Sequence, residues 1–407
     1  MRSFTKPIRL LLINQLTINI GFYMLMPYLA NHLAGDLGLA VWLVGLILGV
    51  RNLSQQGMFL LGGSLADRLG YKPMILAGLV LRTAGFALLG LAEAVPVLII
   101  ASALTGLAGA LFNPAARAYL AHEAGDSKVA AFAAFNVFYQ AGILIGPLIG
   151  LLLQGAGFRL TCLVAAALFA LLAVAQVRAM PARAGHRDGS ILYGWRQVLR
   201  NRPLLLFSLA MAGSYVLNFQ VYLGLPLEVR RLTGGEVGVM LLFAVSGGLA
   251  VAGQVRLTAW IRARWTARQA IVRGLTLMGA AFLPLAVPMT PPPALVLAPV
   301  LLTTALLTVA TMVVYPFEMA TITELGGDRL VGTSYGFYST LSGIGVAVGN
   351  LLTGAALDAS RSLGLPALPW CGLAVVGWAC AAAVHLQGRS PAGRDDRAPA
   401  TGRIARA

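Results

Sequence analysis

The chain has 407 residues, of which 58% are hydrophobic and 11% charged, with a mean hydropathy of +0.80. A soluble protein of this length needs far more polar surface, so the composition excludes a water-soluble globular fold and indicates a membrane-embedded one. The net charge of +16 would suggest a nucleic-acid partner in a soluble protein, but here the bases follow the loops between apolar runs.

Those runs are about 20 residues or longer, the length that spans a hydrocarbon core as a helix. Twelve fall near 10–31, 40–65, 73–92, 96–117, 129–153, 158–177, 204–227, 236–255, 270–289, 294–318, 331–356 and 366–386. Arg2, Lys6 and Arg9 precede the first run, which is too long for a secretory signal and has no small-residue cleavage site, so it reads as the first span. If the N-terminus is cytoplasmic, Arg159, Arg230, Arg231 and Arg361 fall outside and Arg51 and Arg82 within spans. That leaves 24 of the 30 bases inside and places both termini in the cytoplasm. Cys162, Cys371 and Cys380 lie in apolar surroundings and suggest neither a disulfide framework nor a metal site.

In the first span, Asn19 and Tyr23 are four apart and share a helix face. They either look into a cavity or hydrogen-bond neighbouring helices. In the second span, Arg51 lies near the middle, where an arginine costs at least about 2.5 kcal/mol to insert and faces a cavity or a partner. Gln55 is one turn away. The two side chains can together receive an anionic or carbonyl-bearing molecule, or Arg51 can be structural, tied to helix-end carbonyls or to Asn19.

Between the second and third spans runs Gly63-Ser64-Leu65-Ala66-Asp67-Arg68-Leu69-Gly70-Tyr71-Lys72. An acid and two bases at helix ends can form ion pairs that lock one helix bundle on another, and Gly63 and Gly70 permit close approach and a tight turn. This segment resembles the signature loop G-x-L-a-D-r-x-G-r-K of the Major Facilitator Superfamily, with Tyr71 where a base is usual. The resemblance implies a gating role for Gly63, Asp67, Arg68, Gly70 and Lys72. Further matches at 51–57, 72–75 and 81–86 resemble a multidrug exporter of the drug:proton antiporter group and imply an inner-membrane bacterial exporter. Arg82, ten residues from Lys72, is expected to snorkel to the surface as a structural residue. In its fourth span this group carries an arginine before a Q-G-x-g segment; here the counterpart Thr105-Gly106-Leu107-Ala108 follows Ser102, so the resemblance does not extend to coupling through that arginine, and Arg117 at the span's inner end is assigned to the gate.

In the fifth span, Gln140 is a further candidate for the cavity. The stretch Gly142-Ile143-Leu144-Ile145-Gly146-Pro147-Leu148-Ile149-Gly150 resembles the antiporter element G-x-x-x-G-P-x-x-G-G, ending in Leu151. Gly142, Gly146 and Gly150 make a smooth stripe, and Pro147 bends the helix and frees a carbonyl. A generic packing stripe fits the same pattern.

Prolines, glycines and arginines interrupt the apolar pattern at 179–203, a cytoplasmic linker between two six-span bundles, 1–178 and 204–387, with 388–407 a cytoplasmic tail expected to be disordered. The halves resemble one another. Asn19, Tyr23 and Pro27 recur 199 positions on as Asn218, Tyr222 and Pro226. Pro114, Gly125, Asp126 and Phe135 recur 202 positions on as Pro316, Gly327, Asp328 and Phe337. Asn218 and Tyr222 therefore join the candidate cavity from the second half. Glu318, near the inner end of the tenth span, is the clearest membrane carboxylate and is a candidate for proton coupling, or for a gate contact with Arg117.

The reading is an all-α membrane protein of twelve spans that exports amphipathic drugs or similar small molecules by proton antiport and alternating access. Its partners are the small-molecule substrate, protons and the lipid bilayer, without nucleic acid, and it works as a monomer. No P-loop occurs and no cofactor is implied. The alternative cargo is an anionic metabolite or metal-chelating molecule, favoured by Arg51. A membrane-embedded sensor or enzyme is disfavoured by the repeat and by the lack of a catalytically spaced His/Cys/Asp cluster.

Overall fold

The computed structural model describes residues 4–154, 157–181, 190–233, 237–287 and 295–387. The tail at 388–407 and positions 182–189 of the expected linker lie outside the described residues. Among the described residues the chain is helical throughout, without strands. Nine stretches of the described residues are each long and apolar enough to cross a membrane, and one of them, Val95–Leu153, holds two spans. With the first two spans, each of them a broken helix, the total is twelve.

The first span consists of α1 (Lys6–Tyr23) and α2 (Met26–Asn31), and the second of α3 (Val41–Gly57) and α4 (Phe59–Leu69). Then follow α5 (Tyr71–Leu91), α6 (Val95–Ala124), α7 (Lys128–Gln154) and α8 (Phe158–Ala179). A short helix, α9 (Ile191–Arg200), precedes the seventh span, made of α10 (Arg202–Phe219) and α11 (Gly224–Thr233). The remaining spans are α12 (Val237–Arg262), α13 (Ala267–Ala280) with α14 (Leu283–Ala286), α15 (Ala298–Gly326), α16 (Val331–Leu363) and α17 (Leu368–Gln387).

The internal repeat is visible in the backbone. The first and seventh spans both break at the Asn-x-x-x-Tyr face, the first just after Tyr23 and the seventh after Phe219 so that Tyr222 lies in the break, and each break is followed within one helical turn by a proline, Pro27 or Pro226, which has no N–H to continue the ladder. Pro114 and Pro316 lie inside the equivalent helices α6 and α15, which end at Gly125 and Gly327 with φ of 49° and 70°. The pairings repeat as well. In the first half α5 packs on α6 and α8, and α1 on α7 and α8; in the second, α13 packs on α15 and α17, and α10 on α16 and α17.

Packing between the halves runs chiefly through α4 with α16 and α7 with α12. Apolar side chains such as Leu152, Leu351 and Leu53, at 82%, 76% and 74% exposure, point away from the protein, where lipid rather than water is their solvent. Helix α9 is amphipathic and lies against the end of α4, on the face of the molecule that carries the 63–72 turn, called here the turn face.

Candidate functional site

The tightest junction between the halves lies at the turn face. Asp67, 5% exposed, accepts hydrogen bonds from the backbone N–H groups of Gly332 (2.7 Å) and Thr333 (2.6 Å) and from the Thr333 hydroxyl (2.7 Å). A carboxylate therefore caps the first turn of the 33-residue helix α16, where unpaired N–H groups and the helix dipole both favour negative charge. The two bundles are thus locked together through Asp67, but by helix-terminal amide groups rather than by the expected ion pairs. Lys72 donates instead to the carbonyl of Val177 at the end of α8 (2.9 Å), and Arg68 borders a cavity beneath α9. Tyr71, standing where the related loops carry a base, donates to Asp67 (3.3 Å) and pairs with His122 Nε2 (3.0 Å).

Glycine makes this junction possible. A Cβ at Gly63 would sit on the Gly332 carbonyl, and one at Gly336 on the Phe59 carbonyl, so α4 and α16 meet backbone to backbone. Gly70 turns the chain between α4 and α5 at φ 94°, a region that other residues avoid. Trp195 of α9 closes the junction from outside, its indole N–H donating to Ser64 Oγ at 2.7 Å.

One layer deeper, Arg117 of α6 reaches across to α16 and donates to Ser339 Oγ (3.1 Å); it also hydrogen-bonds Tyr315. Glu318, 3% exposed, accepts from the hydroxyls of Tyr338 and Tyr215. Arg117 acts on Glu318 electrostatically, with no ion pair between them among the described residues. The carboxylate and the guanidinium thus belong to one buried network joined by tyrosines of α10, α15 and α16. Sequence reasoning passed over Tyr215, Tyr338 and Thr333, whose helical positions carry no local signature; Gly332 and Gly336, spaced by four, were the available signal.

Farther from the turn face, Gln140, Asn218 and Tyr222 border one small cavity of about 30 Å³, with Ile143, Leu144, Phe243 and Ser246. Tyr23 hydrogen-bonds both Tyr139 and Tyr222, bridging the two halves there. Asn218 donates to Thr311 at 3.4 Å. Asn19 does not join this group: it is 5% exposed, donates to the Gln15 carbonyl (2.7 Å), and lies against Gly142. Gly142, Gly146 and Gly150 all face the first span, meeting Asn19, Tyr23 and Met24, while Tyr28 donates to the Pro147 carbonyl at 2.9 Å. The antiporter-like element therefore seats α7 against the first span within the first half.

Arg51 holds a separate position. Its guanidinium stands 5.2 Å from the centre of the Phe22 ring and donates to Gln55 (3.5 Å) and to Asn52. Arg82 does not snorkel as the sequence reading expects. It is 6% exposed and is enclosed by the rings of Phe22, Phe112 and Phe169 at 5.8–6.0 Å.

The comparisons agree with this architecture. The family model of the Major Facilitator Superfamily matches residues 11–350. An uncharacterised MFS-type transporter of Mycobacterium tuberculosis (strain H37Rv) is 53% identical over 384 residues, covering 92% of each chain. The multidrug resistance protein MdtH of Yersinia pestis is 32% identical over 392 residues, covering 93% of each. Among solved structures, the human organic anion transporter MFSD10 superposes with a TM-score of 0.73 at 17% identity, covering 93% of this chain and 99% of that one. The Escherichia coli fucose:proton symporter FucP gives 0.74 at 14%, covering 95% and 99%. The chain is therefore a multi-pass membrane transporter rather than an enzyme, and it belongs to the Major Facilitator Superfamily.

Proposed function

We propose that this transporter is a proton-coupled exporter of small amphipathic molecules, working by alternating access in a bacterial inner membrane. The observation that carries the reading is the layered closure at one face: Asp67 on the first turn of α16, then the Arg117–Ser339 contact beside the buried Glu318. In this reading the turn face is cytoplasmic, both termini lie on that side, and the halves 1–178 and 204–387 rock about the midplane as a monomer. Tyr23, Gln140, Asn218 and Tyr222 meet the cargo at the junction between the halves. The 32% identity to a multidrug resistance protein supports drug-like cargo.

Glu318 is the proton carrier of this scheme. Its protonation removes the charge that Tyr215, Tyr338 and Arg117 hold in place and loosens the junction, so that opening toward the cytoplasm accompanies proton transfer. The test uses purified protein in liposomes that trap a pH-sensitive dye, with a panel of lipophilic cations and aromatic carboxylates added in turn. Antiport requires that at least one compound drive a proton flux opposite to its own. Compound movement with no proton flux, under either sign of membrane potential, refutes the coupling.

A further inference from the structure

Arg51 and Arg82 are the two basic residues that the sequence places within spans, and both belong to the first half. Phe22 ties them together: Arg51 lies 5.2 Å and Arg82 6.0 Å from the same ring centre. They repel each other electrostatically, and both act on the Tyr23 hydroxyl, the group that bridges to Tyr222 of the other half.

No carboxylate is at hand to neutralise this pair. The described acids of the first half are Asp36, Asp67, Glu93, Glu123 and Asp126, all at span ends. Asp36 is paired with His32 at 2.6 Å, and Asp67 is committed to α16. Glu318 is held by tyrosines in the other half. A structural arginine in a bundle is tied to carbonyls or acids. Arg82 makes no hydrogen bond or ion pair among the described residues, only contacts with three aromatic faces, and the Nε atoms of both arginines are buried without a partner. Two positive charges in a low-dielectric interior, with donors unfilled, create a field that favours a bound anion.

We propose that Arg51 and Arg82 form an anion site in the first half, filled by the carboxylate or sulfonate of an aromatic organic anion, which makes such anions the preferred cargo. Arg51, half-buried beside Gln55 and Asn52, donates directly to the anion. Arg82, sealed behind Phe22, contributes charge rather than hydrogen bonds. The neighbouring Phe22 and Tyr23 receive the apolar part, and through Tyr23 the site adjoins Tyr222. As a statement about cargo, the inference rests on the exporter reading above.

Isothermal titration of the full chain in detergent micelles, with naphthalene-2-carboxylate, its carboxamide and 2-naphthylmethylammonium, tests it. Wild type binds the carboxylate at least about ten-fold more tightly than the amide, and the ammonium most weakly. Arg51→Gln and Arg82→Gln each bring the carboxylate down to the affinity of the amide, with amide binding held within about two-fold as the check on folding. Arg82→Lys, which keeps the charge, retains most of the preference. The proposal is overturned if wild type prefers the amide or the ammonium, if it binds none of the three, or if the glutamine variants weaken carboxylate and amide alike. In liposomes, proton flux driven by lipophilic cations alone refutes the anion site and leaves the exporter standing. Carboxylate binding as described, without any proton flux, refutes antiport and leaves the site standing.

Discussion

The carboxylate of Asp67 lies 2.7 Å from the backbone nitrogen of Gly332, although 265 positions separate them in the chain. One side chain of the second span thereby serves as the cap of the eleventh, and closure of the turn face depends on a helix terminus rather than on paired side-chain charges. The consequence is a contact that breaks as a unit, because withdrawing α16 strands both Asp67 and the first-turn N–H groups.

Asp67→Asn tests that dependence. The amide keeps one acceptor but loses the charge, and hydrogen bonds to charged groups contribute about 1.5–3 kcal/mol each. Export is expected to fall at least about ten-fold at matched expression while the variant still inserts and elutes as a single species. Wild-type export by this variant would remove Asp67 from the gate.

Glycine positions give a paired control. In Gly63→Ala the new methyl meets the Gly332 carbonyl and the Gly336 Cα, so α4 and α16 must part, at the cost of about 1–3 kcal/mol that overpacking carries. Gly354→Ala, in the same α16, meets nothing within 4 Å and should transport normally. Equal effects of the two substitutions on export and on melting temperature would show that backbone contact at Gly63 is irrelevant.

Glu318→Gln separates proton coupling from cargo binding. The glutamine mimics the protonated carboxyl: it keeps one acceptor oxygen for the tyrosines that hold Glu318, but it carries no charge and cannot exchange a proton. Exchange of labelled cargo across the membrane should persist, while uphill export and its dependence on the pH gradient should vanish. Uphill export with an unchanged pH dependence would move protonation to another group.

The orientation is checked by single cysteines at Ser190, before α9, and at Glu93, between α5 and α6, in a background without Cys162, Cys371 and Cys380. An impermeant thiol reagent added outside intact cells should label Glu93→Cys and spare Ser190→Cys; the reverse pattern would invert the topology.

Much of this architecture was legible in the chain, because span length and hydropathy are local properties. The internal repeat was legible too, since Pro27 and Pro226 each follow a helix break. What sequence could not give was the partner of each polar group. The bases of the 63–72 turn looked able to pair with Asp67, but the amide groups of α16 reach it first, and Lys72 finds the end of α8 instead. Asn19 and Tyr23 share a helix face by spacing, yet the packing of Gly142 against α1 covers Asn19, and only Tyr23 reaches the other half. Arg82 looked able to reach the surface, but a ring of three phenylalanines from three different helices surrounds it, an arrangement with no local signature.

Electron–electron distance measurements on two spin-label pairs probe alternating access most directly. Asp126→Cys with Asp328→Cys reports on the turn face, and Glu93→Cys with Leu365→Cys on the opposite one; all four positions are exposed. The account predicts a short turn-face distance in the wild-type background. In the Asp67→Asn background it predicts a second population, with the turn-face pair farther apart and the opposite pair closer together. Two distances that stay fixed in Asp67→Asn, or that lengthen together, would contradict a rocking transporter held closed by the Asp67–α16 contact.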